Sequence, residues 1–343
     1  MRQNIAIDCM GADLGPLPLI SGAVEYLRNP QNTGVSVVLV GDEPLIREHL
    51  KGLGVNGNLS LSVVHASEVV DMHVAATEGL KKRDSSMAVA VRMHKEGLVD
   101  AVISAGNTGA VMANAVLTLG RLQGVSRPAI AAAMPNRLER WTLLLDVGAN
   151  VDVKPDHIVQ FAQMGVSYAE DILKVQSPRV GLLSIGEESV KGNELTASSH
   201  ELLARGKAIT FVGNVEGRDI LEGTCDVVVC DGFIGNIILK FAESMKDFLE
   251  SRVHKQISSN PFSKAGAILM GPFLRRMRRV FDYSEYGGAP LLGINGNCVI
   301  SHGKSSAKAI NNAVKIAVEM VRTDAKGHIE RRIAGNQQEI IGQ

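Results

Sequence analysis

The stretch AVISAGNTGAVMANAVLTL, residues 101–119, decides how this chain is built. It opens on an apolar, β-branched run and passes through small residues that include Gly106, Asn107, Thr108 and Gly109. From Ala110 onward apolar side chains return at three- and four-residue spacing. Those patterns predict a buried strand, a tight turn and a helix folded back over the strand. The unit recurs along the chain. Strand-like runs cover 4–9, 35–41, 59–65, 130–134, 142–146, 180–185, 209–213 and 227–231, and helical periodicity fills 44–51, 87–96, 155–173 and 235–253. Such alternation specifies an α/β fold with a mostly parallel sheet.

Composition agrees. Aromatic residues make up only 4% of the chain while glycine reaches 35, so the interior is aliphatic, as in a sheet covered by helices on both faces. A length of 343 residues suits one large α/β unit, or two lobes sharing a sheet, over 1–334, with 335–343 as a tail. Lys plus Arg and Asp plus Glu both number 36, so no global field draws the protein to nucleic acid. Cys9, Cys225, Cys230 and Cys298 form no CxxC pair and sit in or near apolar runs, where thiols act as small hydrophobes. The N-terminus shows no signal-peptide pattern and no apolar run is long enough to span a bilayer, so a cytoplasmic location with at most peripheral membrane contact is expected.

The chemistry should lie in the turns. Asp8–Asp13, Ser104–Gly109, Asp146–Asn150, Gly186–Glu188, Gly213–Gly217 and Asp231–Asn236 are small, polar and Gly-rich, each where a strand should enter a helix. In parallel sheets ligands gather outside the carboxyl ends of strands, so these six turns are expected on one edge, flooring one cleft with backbone amides. The turn 104–109 offers amides, hydroxyls and a helix N-terminus to an oxyanion, or Ser104 and Thr108 merely cap their own helix. In 186–195 Lys191 lies among carboxylates, where an ion pair would fix it or the whole loop is solvated. Asn236 either caps the helix after Asp231 or meets a ligand, and His302 in SHGKSS is a structural histidine or a proton carrier. Neither GxxxxGK[ST] nor a strand-linked GxGxxG is present, nor HExxH, nor GxSxG. A small anion is therefore favoured, with no metal, no cofactor and no covalent nucleophile.

Between Ser251 and Phe281 there are seven Lys or Arg and no Asp or Glu. Its last part sets Phe273, Leu274, Met277, Val280 and Phe281 on one helical face and Arg275, Arg276, Arg278 and Arg279 on the other. A basic amphipathic hairpin at about 245–283 is the expectation. It rests on anionic lipid, grips an acidic protein, or is a core-facing helix with a solvated basic side.

Taken in order, the blocks AIDCMGAD (6–13), SAGNTGA (104–110), RPAI (127–130), LLDVGANVDVKP (144–155), PRVGLLSIGEE (178–188), KGNEL (191–195), FVGNVEGRDI (211–220), VVVCDGFIGN (227–236), EYGGAPLLG (285–293) and SHGKSS (301–306) resemble the phosphate acyltransferase (PlsX) family of bacterial phospholipid synthesis. The resemblance implies a three-layer α/β/α fold like those of isocitrate and isopropylmalate dehydrogenases and phosphotransacetylases. It also implies a homodimer, no metal, and transfer of an acyl group from acyl carrier protein to inorganic phosphate. Attachment at the inner face of the membrane, close to a downstream glycerol-3-phosphate acyltransferase, goes with it. Ala12, Ser184 and Ser306 depart from the family pattern. Phosphate is already a competent nucleophile, so positioning and charge stabilisation suffice. Lys191, Asn236 and His302 are expected to act on the reacting groups. Asp8, Gly11, Ser104, Gly106, Asn107, Thr108, Asp146, Asn150, Glu187, Asn193, Asp231, Gly232 and Gly235 are expected around substrate and phosphate. The rivals are a metal- and NAD-dependent decarboxylating dehydrogenase of the same fold, and a non-catalytic scaffold binding lipid or carrier.

Overall fold

The computed structural model describes residues 2–258, 261–273 and 286–341. Eleven strands form one sheet: β1 (Gln3–Asp8), β2 (Val35–Gly41), β3 (Leu61–His65), β4 (Ala101–Ser104), β5 (Ala129–Pro135), β6 (Trp141–Leu145), β7 (Arg179–Leu183), β8 (Thr210–Val215), β9 (Val227–Val229), β10 (Ala289–Leu292) and β11 (Cys298–Ile300). The helices are α1 (Leu17–Arg28), α2 (Glu43–Gly52), α3 (Ala76–Gly79), α4 (Ser86–Lys95), α5 (Thr108–Leu119), α6 (Pro155–Asp171), α7 (Glu194–Arg205), α8 (Gly217–Glu222), α9 (Gly232–Ser258), α10 (Pro261–Leu269), α11 (Ala307–Arg322) and α12 (Ala325–Ile341). The sheet order is β3-β2-β1-β4-β11-β10-β5-β6-β9-β7-β8.

Alternation along the strands explains the layers. In β1, Ile5 and Ile7 join α1, α6 and α11 in one core, while Ala6 faces the other core with α4 and α5. Every one of these β1 residues is fully buried, so helices cover both faces as the aliphatic composition requires.

The sheet also reverses, which the strand pattern does not reveal. β3, β2, β1, β4 and β11 are mutually parallel, as are β6, β9, β7 and β8, but β10 is antiparallel to both β11 and β5, and β5 is antiparallel to β6. Three antiparallel pairings turn one wing upside down relative to the other. The six Gly-rich turns therefore do not share an edge: those after β1 and β4 lie on one, and those after β6, β7, β8 and β9 on the opposite one. β10 and β11, the strands that the sequence reading lacks, are part of the reversal. Each is only three or four residues long and lies among Gly287, Gly288, Pro290, Gly293 and Gly296, which read as turn rather than strand.

α9 and α10 make up the first part of the expected hairpin, and α10 packs back on α9. Leu274, Arg275, Arg276, Met277, Arg278 and Arg279 lie outside the described residues, while Phe273 is described and exposed. Helical backbone continues past Gly335 to Ile341, within the stretch read as a tail. No described helix is long and apolar enough to cross a membrane.

Candidate active site

On the first edge, β1 delivers Asp8 and β4 delivers Ser104 side by side, because the two strands pair in register there. Asp8 is buried. Its Oδ1 accepts from the Ser86 hydroxyl (2.5 Å) and the Met10 amide (3.2 Å), and its Oδ2 accepts from the Ser104 hydroxyl (2.6 Å). Ser104 Oγ in turn accepts the Gly106 amide at 3.2 Å. The turns touch backbone to backbone, since a Cβ on Gly11 would stand 2.9 Å from Gly106 Cα. Asn107 is the cap of α5, its Oδ1 accepting the Ala110 amide at 3.0 Å while its Nδ2 donates to the Met72 and Val74 carbonyls at 2.8 and 2.9 Å. Asp8 and Ser104 therefore satisfy each other, Asn107 is taken up by the backbone, and Thr108 of the same turn opens onto a cavity.

The second edge is anchored by Asp146, fully buried at the end of β6. Its Oδ1 accepts amides of Ile130, Gly148 and Ala149, and its Oδ2 accepts both the backbone and side-chain N–H of Asn150, at 2.7 and 2.9 Å. Burial pushes its pKa above the ordinary carboxylate range, while the hydrogen bonds from Ala149, Asn150 and Ile130 pull the other way. α9 starts against this turn. Asp231 Oδ1 caps it by accepting the Ile234 amide at 2.8 Å, and Gly232 donates to the Asn150 carbonyl at 2.8 Å. A Cβ on Gly235 would meet Asp146 O at 1.8 Å, so glycine is what allows the helix to approach so closely. Asp231 thus resolves the choice left open for Asn236. Asn236 is not the cap; it is exposed beside Gly148, and no described residue hydrogen-bonds its side-chain amide.

Lys191 sits farther along the same edge, exposed in the loop between β7 and α7. The ion pair expected to hold it does not form: Glu187 pairs with Arg218 at 2.9 Å instead. The loop is fixed by its backbone, with the Asn214 side chain donating to the Glu188 carbonyl at 2.9 Å and Ser184 Oγ donating to the Lys191 carbonyl at 3.2 Å. Asn193 caps α7 through the Thr196 amide. Ser306, one of the departures from the family pattern, likewise caps α11, accepting the Ala309 amide at 3.3 Å.

The reversal of the sheet still brings distant turns together, across its face rather than along an edge. A cavity of about 160 Å³ is lined by Thr108 and His302 from the first edge, Val147 and Asn236 from the second, and β5, β10 and α9 between them. His302 Nδ1 accepts the Lys304 amide at 3.1 Å. Lys191, Glu187 and Asn193 are not among its lining residues. Lining residues not expected from the sequence include Lys240 and Glu243, paired at 2.8 Å, and Tyr286, whose hydroxyl lies 2.7 Å from that of Tyr168. Lys240 lies one helical turn beyond Asn236, a spacing that could have drawn attention to it. The four cysteines are buried, and burial pushes Cys225 and Cys298 up to about 12 and raises Cys9 and Cys230 as well, so they remain thiols.

Residues 3–327 match the family model described as "Fatty acid synthesis protein". Proteins named phosphate acyltransferase from a Nitratiruptor species and from Desulforudis audaxviator are 45% and 48% identical to the chain. They cover 96% and 95% of it and are themselves covered over 97% and 95% of their length. A relative of the same name from Aquifex aeolicus is 46% identical over 94% of each chain. Among solved structures, a phosphotransacetylase from Streptococcus pyogenes superposes with a TM-score of 0.59 at 16% identity over 94% of each chain. The EutD phosphotransacetylase from Staphylococcus aureus reaches 0.57 at 13% identity, over 93% of this chain and 94% of its own. At such identities the superpositions speak to the three-layer α/β fold alone.

Proposed function

This chain belongs to the phosphate acyltransferase family, an acyltransferase by that membership, and from that premise we propose that it converts acyl carrier protein thioesters and inorganic phosphate into acyl phosphates for phospholipid synthesis. The observation that carries the reading is the cavity where Thr108, His302 and Asn236 converge from opposite edges of the sheet. A phosphate oxygen attacks the thioester carbonyl, the C–O bond forms, and the tetrahedral oxyanion collapses with cleavage of the C–S bond. The products are acyl phosphate and the carrier thiol, so one proton must reach the departing sulfur. The unengaged amide of Asn236 donates to the oxyanion, and Thr108 with the first amides of α5 holds phosphate at the positive end of that helix. Asp8, Gly11, Ser104, Gly106 and Asn107 shape that phosphate turn from behind, as Asp146, Asn150, Asp231, Gly232 and Gly235 shape the seat of Asn236. His302 or the ammonium of Lys191 on its flexible stem supplies the proton or offsets phosphate charge, Lys191 reaching in from its loop with Glu187 and Asn193 holding the loop's ends.

The same reading takes the protein as a homodimer at the inner face of the cytoplasmic membrane, handing its product to a glycerol-3-phosphate acyltransferase. In support, Ile234, Ile237, Phe241, Met245 and Phe248 form an exposed apolar stripe at three- and four-residue spacing on α9, the seam that a second copy would cover. Phe262, Ile268, Leu269 and Phe273 are exposed at and beyond α10, where a lipid surface or the carrier would meet the hairpin. Purified protein incubated with a long-chain acyl carrier thioester and phosphate should yield acyl phosphate in the presence of EDTA. Unchanged thioester, or activity abolished by the chelator, overturns the reading. Lys191→Ala should lower turnover by about 10²-fold if that ammonium meets charge developing in the transition state.

A further inference from the structure

A second cavity, about 690 Å³, adjoins the first along the same three segments. On α5, Thr108 faces the reaction cavity while Met112, Ala113, Val116 and Leu117 face the second. At the start of β5, Ile130 lines one and Pro128, just before the strand, the other; after β6, Val147 lines one and Ala149 the other. The wall is mostly aliphatic, with Ser126 and Asn150 as its uncharged polar residues and Arg121 and Arg127 as its charged ones. Among the described residues neither guanidinium has a carboxylate partner.

Arg121 is held through its guanidinium, and Arg127 through the backbone of the segment that bears it. Arg121 follows the end of α5, and its guanidinium donates to the Ser126 carbonyl. The segment that bears Arg127 is tied to α6 by Gln160, whose Oε1 accepts the Ser126 amide at 2.8 Å and whose Nε2 donates to the Gly124 carbonyl at 2.9 Å. Arg127 together with Lys154 also helps to hold the His157 pKa below its ordinary value, after burial, as befits a region of positive potential.

An aliphatic trough ending in two guanidiniums without carboxylate partners suits a long, mostly uncharged arm with one anionic end. α5 is 12 residues, about 18 Å, long, with Thr108 of the reaction cavity at its start and Arg121 just past its end. We propose that this cavity receives the phosphopantetheine arm of the acyl carrier, its phosphodiester held between Arg121 and Arg127 and its uncharged body laid along Met112, Val116 and Pro128. The inference rests on the acyl-carrier reading of the reaction cavity. It also gives the RPAI segment a role, in which Arg127 receives the phosphodiester and Pro128 lines the trough beside it.

Calorimetry with two small probes tests it without turnover. The wild-type chain should bind 4′-phosphopantetheine roughly tenfold more tightly than pantetheine, which lacks the phosphate, and Arg121→Gln/Arg127→Gln should erase that preference. Ala113→Trp, which fills the trough, should weaken both probes alike. In kinetics, the double variant should raise KM for the acyl carrier about tenfold and leave KM for inorganic phosphate where it was. Equal binding of the two probes by the wild type overturns the proposal even if acyl transfer proceeds normally, and so does a rise confined to the KM for phosphate, which would make the arginines an acceptor site. Selective probe binding by a protein that forms no acyl phosphate would uphold the cavity's role and overturn the reaction instead.

Discussion

Asn107 and Asn236 occupy matching places in two Gly-rich turns, SAGNTG and DGFIGN, each where a buried strand enters a long helix. In the folded chain they differ in every respect that matters for chemistry. Asn107 caps α5 and ties two carbonyls of the 72–74 segment to it, so its side chain is used up in holding the turn. At the other turn Asp231 takes the cap, and Asn236, one turn into α9, is exposed at the reaction cavity with its amide unengaged. A residue type in a motif therefore identifies a place, while the capping competition decides whether that place is structural or chemical.

Removing each amide in turn should separate the two roles. Asn236→Ala should reduce turnover by about 10²- to 10³-fold, ~2.7–4 kcal/mol of transition-state stabilisation, with a urea unfolding midpoint close to that of the parent. A folded variant with near-normal turnover would remove Asn236 from the chemistry. Gly235→Ala tests whether the seat beneath Asn236 matters. The new Cβ cannot coexist with Asp146 O, so ~1–3 kcal/mol of stability and much of the turnover should go together. Retained activity would mean that α9 can shift without moving the donor.

Asn107→Ala should show the reverse balance to Asn236→Ala. It loses the cap acceptor and strands the donors' partners in the 72–74 segment, lowering stability by about 1–2 kcal/mol by chemical denaturation. The loss of turnover should be smaller than for Asn236→Ala, and a larger one would return Asn107 to direct contact with phosphate.

The smallest effect is a pH dependence away from both turns. His94 Nε2 accepts the Asn297 amide at 2.9 Å, so Nδ1 carries the proton that it gives to the Val99 carbonyl at 2.8 Å, and burial holds the pKa below its ordinary value. A depressed folded pKa favours the neutral ring. Stability should be level above about pH 6.5 and fall as pH drops toward the folded value, by at most ~1.4 kcal/mol per pH unit. His157, also depressed, contributes in the same window. His94→Gln should flatten the slope to the part that His157 leaves, and an unchanged slope would place the titration elsewhere.

Local structure was legible in the sequence alone. Strand–turn–helix units such as 101–119 could be read because periodicity and glycine placement act within a few positions of one another, although the cap of α5 is Asn107 and not Ser104 or Thr108, and Asn193, expected at the substrate, caps α7. The turns that surround the site were legible for that reason too. Their arrangement was not. Whether Asp8 and Asp146 lie on one edge or on opposite edges depends on three antiparallel pairings, of which β5–β6 and β10–β11 are local while the one that joins the two wings, Leu291 of β10 with Ile130 of β5, links segments far apart in the chain. Tertiary structure alone could make Thr108, His302 and Asn236 neighbours, leave Lys191 without its expected ion pair, and line a second cavity with Arg121 and Arg127. Strand direction and the partner of a surface charge are settled by contacts across the whole sheet, and no window of sequence contains both halves of such a contact.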